Sequence, residues 1–248
     1  MTVLKKARER LLFAVRYFTP WERILMIGSL ALVALSFFLF DGEQYLRLSA
    51  SLIGVLALML CAKGHPVGQI FMITFCVLYV IISYSFSYYG EMITYLFMSL
   101  PMSVFSLVTW VRNPYENGKG EVEVNRIGKR EVGLLAALAA AVTVVFYFIL
   151  AYFETANLLV STFSVTTSFV AAYLTMRRSP FYALAYTMND VVLIVLWILA
   201  CAEDITYASV VACFVAFIAN DMYGFFHWRS MERAQQRKDF FGEQAKEN

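Results

Sequence analysis

Eight runs of roughly twenty apolar residues constrain this chain more than any other feature of its sequence. A helix of about twenty residues is long enough to cross a hydrocarbon core of roughly 30 Å. With 60% hydrophobic and only 15% charged residues, the composition excludes an ordinary soluble domain. The sequence therefore predicts an all-α integral membrane protein. The predicted spans are 24–40, 46–62, 66–86, 90–110, 132–153, 157–176, 180–201 and 205–228.

The basic residues predict how the chain crosses the membrane. If the N-terminus is cytoplasmic, Arg47 is the only one of the 20 Lys and Arg residues that falls on the outer side. Cytoplasmic loops of membrane proteins are enriched in Lys and Arg, so both termini are predicted to be cytoplasmic. The net charge of +2 then reflects topology and does not indicate a nucleic-acid partner. The outer loops carry acidic residues instead, namely Asp41, Glu43, Glu91, Glu154, Glu203 and Asp204.

The first apolar run differs from a cleaved signal peptide. It is long for such a segment, and no small-residue cleavage site follows it, so it is predicted to be a retained helix. The preceding residues 1–23 alternate basic and apolar positions, which is typical of a segment lying on the inner leaflet of the lipid bilayer.

The two halves of the remaining chain contain a weak internal repeat. At one fixed offset, Phe105 aligns with Tyr223 and Trp110 with Trp228 near the ends of the fourth and eighth runs. Two three-helix units joined by one helix would have the same orientation, so the repeats are predicted to be parallel, with a substrate site between them. The predicted organisation is a basic segment 1–23, an extra helix 24–40, a first unit 46–110, a cytoplasmic loop 111–131, a linker helix 132–153, a second unit 157–228 and a cytoplasmic tail 229–248.

Two Asn-Asp pairs interrupt the last two apolar runs. They are Asn189-Asp190 and Asn220-Asp221. An aspartate at mid-membrane depth costs about 2.5–3.5 kcal/mol on insertion scales, so polar groups at this depth are usually functional. The alternative is that each pair joins neighbouring helices by hydrogen bonds without binding a ligand.

Helical spacing places aromatic residues on the same faces as these pairs. Two such faces turned into the bundle would form a pocket of carboxylates, amides and aromatic rings. That chemistry suits a ligand with hydroxyl or amide groups and a flat, cationic ring. The candidate substrate-binding residues are Gln69, Trp110, Tyr186, Asn189, Asp190, Trp197, Phe217, Asn220 and Asp221.

No cofactor or metal site is predicted. The chain has only two histidines, and its four cysteines show no CxxC spacing. The loop 111–131 lacks the GxxxxGK[ST] signature of a phosphate-binding loop. An intramembrane hydrolase that used the paired aspartates would need a neighbouring histidine or metal, which disfavours an enzyme.

Three stretches resemble the PnuC family of nicotinamide riboside transporters. The stretch ANDMYGFFHWRSMERAQ is similar to the last helix of that family, and NDVVLIVLW is similar to the helix before it. The stretch TWVRNPYENGKGEVEVNRIGKRE resembles the loop after its fourth helix. Of the aromatic signature W-x-x-W-x-x-N, Trp110 and Asn113 are present, whereas Leu107 replaces the first Trp. The resemblance covers most of residues 45–235.

The resemblance implies a fold, an assembly and a transport mode. It implies a 3+1+3 bundle similar to SWEET transporters, assembled as a homotrimer in the bacterial inner membrane. It also implies facilitated diffusion of nicotinamide riboside, with uptake drawn by a separate cytoplasmic kinase that phosphorylates the substrate. A transporter for thiamine or riboflavin shares this fold and stays an alternative, as does a structural membrane subunit without transport activity.

Overall fold

A computed structural model describes residues 17–85, 88–115 and 120–247 of the protein, with side chains described as far as Phe241. These residues contain eight helices long and apolar enough to cross a membrane, which confirms the predicted all-α membrane architecture. Most of the predicted basic segment 1–23 lies outside the described residues. The helices are α1 (Pro20–Ser36, continued by a π-helical turn Phe37–Asp41), α2 (Tyr45–Ala62), α3 (Val67–Ser85), α4 (Tyr89–Arg112), α5 (Lys129–Tyr152), α6 (Leu158–Met176), α7 (Tyr182–Cys201) and α8 (Ala208–Glu247).

Helix α1 begins before its apolar run because a capping box starts it. The Thr19 side chain accepts a hydrogen bond from the backbone N–H of Glu22, and the Glu22 carboxylate accepts one from the backbone N–H of Thr19. Pro20 occupies the first turn, where its missing N–H costs nothing. The hydropathy of the sequence therefore locates the membrane-spanning part of α1 but not its start.

Helix α8 continues far past the predicted span 205–228, to Glu247. Its extension is rich in Ala, Arg, Gln and Glu, which are strong helix formers. It packs on the loop 111–131. Gln235 accepts a hydrogen bond from the backbone of Val124 at 2.8 Å and donates one to the backbone of Val122 at 3.0 Å. The loop is thus held by a helix that runs beyond the apolar region.

Helix α4 is not a regular α-helix. Its first part, Tyr89–Thr94, is followed by a π-helical turn, Tyr95–Ser99, and then by Leu100–Arg112. Proline cannot donate the usual backbone hydrogen bond and clashes with the preceding turn, so Pro101 accounts for the wider turn just before it. The wider turn determines which faces of α4 point inward on either side of it.

Six helices form a closed ring. Going round it, α2 packs on α3, α3 on α4, α4 on α6, α6 on α7, α7 on α8 and α8 again on α2. Helix α5 packs chiefly on α6, and α1 packs on α2 and α8. The ring therefore consists of the two predicted three-helix units, with α1 and α5 at its periphery.

The turns that end α2 and α6 have the same geometry. Gly64 after α2 and Arg178 after α6 both adopt the left-handed conformation, with φ of 67° and 55°. The N–H of Gly64 donates to the Cys61 carbonyl at 2.9 Å, and the N–H of Arg178 donates to the Thr175 carbonyl at 3.0 Å. Two different sequences thus form similar turns after α2 and α6.

Two tryptophans exchange hydrogen bonds between the units. Trp110, at the end of α4, donates through Nε1 to the Thr175 carbonyl of α6 at 2.8 Å. Trp228, on α8, donates in the same way to the Cys61 carbonyl of α2 at 2.9 Å. Their rings lie 5.4 Å apart, both are fully buried, and Tyr182 packs edge-on against Trp228. Trp110, Tyr182 and Trp228 are called the tryptophan cluster below.

Helix α1 is fixed to the ring by buried polar contacts. The Glu22 carboxylate accepts hydrogen bonds from the Lys63 ammonium at 3.0 Å and from the Tyr223 hydroxyl. Further along, the Ser29 hydroxyl accepts a hydrogen bond from the Asn220 amide at 2.8 Å. These contacts join α1 to the turn after α2 and to α8.

Candidate functional site

A cavity of about 90 Å³ lies inside the helix ring. All six ring helices contribute to its wall, and it is called the central cavity below. Five of the predicted site residues line it, namely Tyr186, Asn189, Asp190, Phe217 and Asp221. The other lining residues are Gly54, Leu58, Met72, Phe75, Cys76, Tyr95, Ser99, Ser103, Ser168, Ala172, Leu193 and Phe214.

Two aspartates meet in the central cavity. Asp190 on α7 and Asp221 on α8 are buried, with 3% and 4% of their surface exposed, and their carboxyl groups interact with each other. The Oδ2 atom of Asp190 is buried and has no hydrogen-bond partner among the described residues. None of the described residues lining the cavity is Lys, Arg or His. Two buried carboxylates without a basic partner are costly, so this site favours a bound cation or a proton shared between the two groups.

Asn189 is held in place by two hydroxyl groups of α6. Its Oδ1 atom accepts hydrogen bonds from Thr167 Oγ1 at 2.8 Å and from Ser168 Oγ at 2.9 Å. No hydrogen bond joins its amide nitrogen to another described residue, so that group can donate to a ligand. The hydroxyl-rich run on α6 thus orients a cavity residue.

Asn220 points away from the central cavity. Its amide nitrogen donates to Ser29 Oγ at 2.8 Å and to the Ala216 carbonyl at 2.6 Å, and its Oδ1 atom is buried without a partner. Successive residues of a helix are turned by about 100°, so Asn220 and its neighbour Asp221 cannot face the same way. The second Asn-Asp pair is therefore divided between the cavity and α1.

Aromatic rings that the sequence reasoning missed form one wall of the central cavity. Phe75 on α3 lies 6.3 Å from Tyr95 on α4 and 6.2 Å from Phe217 on α8, between ring centroids. On α3, Met72, Phe75 and Cys76 follow the three- and four-residue spacing of one helix face. That spacing could have identified the wall, but it is equally typical of ordinary packing.

Besides Asn220, three further predicted site residues lie outside the central cavity. Trp110 is part of the tryptophan cluster, and Gln69 is buried nearby, where its amide donates to Cys61 Sγ at 3.3 Å. Trp197 lies toward the opposite end of the bundle, where its ring packs 5.2 Å from that of Tyr207. None of these three side chains lines the central cavity.

Three comparisons connect this arrangement to known proteins. A sequence profile of the family described as "Nicotinamide mononucleotide transporter" matches residues 44–230. The chain belongs to the PnuC family of transporters. The nicotinamide riboside transporter PnuC of Neisseria mucosa is 23% identical over 217 residues, which are 86% of this chain and 82% of that protein. The crystal structure of the vitamin B3 transporter PnuC matches with a TM-score of 0.76 at 22% identity, covering 88% of this chain and 94% of that chain.

The extent of the family match separates the shared core from the rest of the chain. It begins at 44, just before α2, and ends at 230, within α8. The ring, its central cavity and the peripheral helix α5 thus belong to the PnuC family core. Helix α1 lies outside the matched region.

Proposed function

We propose that this protein transports nicotinamide riboside by facilitated diffusion across a bacterial inner membrane. Uptake is drawn forward by a separate cytoplasmic kinase that phosphorylates the substrate. The observation that carries this proposal is the pair Asp190 and Asp221, buried together in a central cavity whose described lining has no basic residue. The protein acts in this proposal as a transporter and not as an enzyme.

The chemistry of nicotinamide riboside matches the cavity group by group. Its pyridinium ring is a flat cation, which suits a site with two carboxyl groups and a wall of aromatic rings. Its carboxamide can accept a hydrogen bond from the free amide nitrogen of Asn189, and its ribose hydroxyls can donate to a carboxylate. The proposed binding residues are Tyr186, Asn189, Asp190, Phe217 and Asp221, with Phe75 and Tyr95 in the aromatic wall.

The cavity favours the riboside over the mononucleotide. A phosphate group would bring negative charge next to Asp190 and Asp221, and no described lining residue offers a cation to balance it. In a medium of low dielectric constant, such repulsion is strong. Thiamine is an aromatic cation too, and it is therefore the second candidate substrate. Riboflavin has no fixed positive charge and suits the site less well.

We also propose a 3+1+3 arrangement of parallel repeats, related by an axis along the membrane normal, in a homotrimer with both termini cytoplasmic. The exchanged hydrogen bonds of Trp110 and Trp228 support the repeat, since a two-fold axis between the units would produce this reciprocity. The distribution of Lys and Arg supports the orientation. The tryptophan cluster then lies toward the cytoplasmic side.

Calorimetry on the purified protein tests the substrate. Nicotinamide riboside should bind, and nicotinamide mononucleotide should bind at least about tenfold more weakly, because each 1.4 kcal/mol of repulsion is a factor of ten. Binding of thiamine alone would assign the protein a different vitamin substrate and leave the fold unchanged. No binding of any of these compounds would favour a structural role for the buried polar pairs.

Proteoliposomes test the transport mode. Without a gradient of another ion, internal nicotinamide riboside should rise only to the external concentration. A nicotinamide riboside kinase and ATP enclosed in the vesicles should then raise total accumulation well above that level. Accumulation of unmodified substrate above the external concentration would contradict facilitated diffusion.

A further inference from the structure

A second cavity, of about 260 Å³, lies where the α3–α4, α5–α6 and α7–α8 connections come together. Its wall combines aromatic rings with carboxylates, and none of its described lining residues is Lys, Arg or His. Arg47 approaches from one side, 5.8 Å from the ring of Tyr207, but it is paired with Asp41 at 2.9 Å. This end cavity is lined most notably by Tyr89, Glu91, Phe153, Glu154, Trp197, Glu203 and Tyr207.

A small third cavity, of about 60 Å³, lies between the end cavity and the central one, since it has lining residues in common with each. It shares Glu91, Ser161 and Leu196 with the end cavity, and Tyr95 and Leu193 with the central cavity. The three cavities therefore adjoin one another in a line. The line ends at the central carboxyl pair, where a buried oxygen atom lacks a hydrogen-bond partner.

The opposite end of the bundle is closed. Trp110 and Trp228 are both 0% exposed, and each is hydrogen-bonded across the interface between the two units. A ligand entering this conformation would therefore come by way of the end cavity. In the proposed topology, that is the outer side of the membrane.

Glu91 occupies the point where the end cavity meets the connecting one. It accepts a long hydrogen bond, of 3.5 Å, from Ser83 Oγ. Its neighbour Gly90 fixes its position, since a Cβ atom there would lie 2.3 Å from Thr155 Oγ1. Only glycine lets the start of α4 approach the α5–α6 turn this closely.

We propose that the end cavity is a loading site for aromatic monocations, in which Glu91, Trp197 and Tyr207 capture the substrate before it reaches the central carboxyl pair. This inference rests on the proposed transport of a pyridinium cation. Trp and Tyr rings bind organic cations through their faces, and a carboxylate in a partly enclosed cavity raises the local cation concentration. The site therefore increases the rate of capture and leaves the turnover of bound substrate unchanged.

Uptake by Glu91→Gln proteoliposomes tests the loading site. For nicotinamide riboside, KM should rise about fivefold or more at low salt, with the maximal rate retained, and the effect should shrink as ionic strength increases. The matched control is Glu43→Gln, which removes an exposed acidic residue that does not line the end cavity. An unchanged KM in Glu91→Gln, or an equal rise in the control, overturns the loading site.

A second measurement covers the possibility that Glu91→Gln folds poorly. Ala200 also lines the end cavity, so an Ala200→Cys variant in a Cys201→Ser background reports on the local potential. A cationic thiosulfonate reagent should modify this cysteine at least about tenfold faster than an anionic reagent of the same size. Equal rates would contradict the inference. If the wild type itself takes up no riboside, the proposed function fails. If the wild type is active and Glu91→Gln has the same KM, only the loading site is contradicted.

Discussion

The carboxyl groups of Asp190 and Asp221 are adjacent, but their role is not simply to join two helices by hydrogen bonds. Asn189 and Asp190 both line the cavity, whereas in the second pair only Asp221 does, and an Asn side chain could equally bind a neighbouring helix. For Asn220, that is what happens, since its amide is bound to Ser29. The two aspartates, in contrast, meet each other and no described basic group. Two buried acids facing one another stabilise the fold only with a proton or a cation between them.

Replacing Asp190 by Asn keeps the shape of the side chain and removes one negative charge. We expect the affinity for nicotinamide riboside to fall at least about tenfold, because a charge-assisted contact in a buried site is worth roughly 1.5–3 kcal/mol. The thermal stability of the substrate-free protein should be unchanged or higher, since a repulsion is relieved. Calorimetry and thermal melting in detergent measure the two quantities. Wild-type affinity in this variant would remove Asp190 from the binding site.

Asn189 and Asn220 form a matched pair for separating binding from stability. Asn189→Ala removes the amide that faces the cavity, so affinity should fall by roughly 0.5–1.5 kcal/mol, the net value of a typical hydrogen bond. Asn220→Ala removes the contact between α8 and α1, so it should lower the melting temperature with little change in affinity. If Asn220→Ala instead lowered the affinity and Asn189→Ala lowered only the melting temperature, Asn220 and not Asn189 would be the residue that contacts the ligand.

At the level of the helices, hydropathy predicted the spans well and their ends poorly. All eight apolar runs form helices. The start of α1 depends on the capping box at Thr19, and α8 continues because the residues after Trp228 are helix formers that bind the loop 111–131. Which face of each helix turns inward could not be read from the sequence, because in a membrane apolar residues cover all faces. This is why Asn220 and Trp197 were grouped with residues they do not meet.

Helix α1 is the element whose attachment can be tested most directly. Glu22 is 1% exposed and pairs with Lys63, so Glu22→Gln leaves a half-buried ammonium group without its counter-ion. Breaking a buried ion pair by removing one partner typically costs about 3–5 kcal/mol. We expect a clear fall in melting temperature, which Glu43→Gln, an exposed change of the same chemistry, should not reproduce. A melting temperature equal to that of the wild type would mean that α1 is not held by this contact.

At the scale of the whole molecule, the two units are tied together at one end and separated by cavities toward the other. The proposed repeat is only weakly visible in the sequence, because few side chains are shared at equivalent positions. Trp110 and Trp228 are identical, but their acceptors Thr175 and Cys61 use backbone carbonyls, which any residue provides. A symmetry that depends on backbone contacts produces little sequence similarity between the two units.

The proposed transport between two parallel units requires the closed end of the bundle to open, and the tryptophan cluster closes that end in this conformation. Trp228→Phe keeps a buried ring but removes the N–H that binds the Cys61 carbonyl, and Trp110→Phe does the same at Thr175. Both variants should therefore populate the opened state more often. Cys61, now 2% exposed, should be alkylated faster from the cytoplasmic side of inside-out vesicles, as measured by mass spectrometry of its peptide. Trp197→Phe, at the other end of the bundle, should leave that rate unchanged. If neither cluster variant alters it, the cluster serves packing alone, and the opening must occur elsewhere.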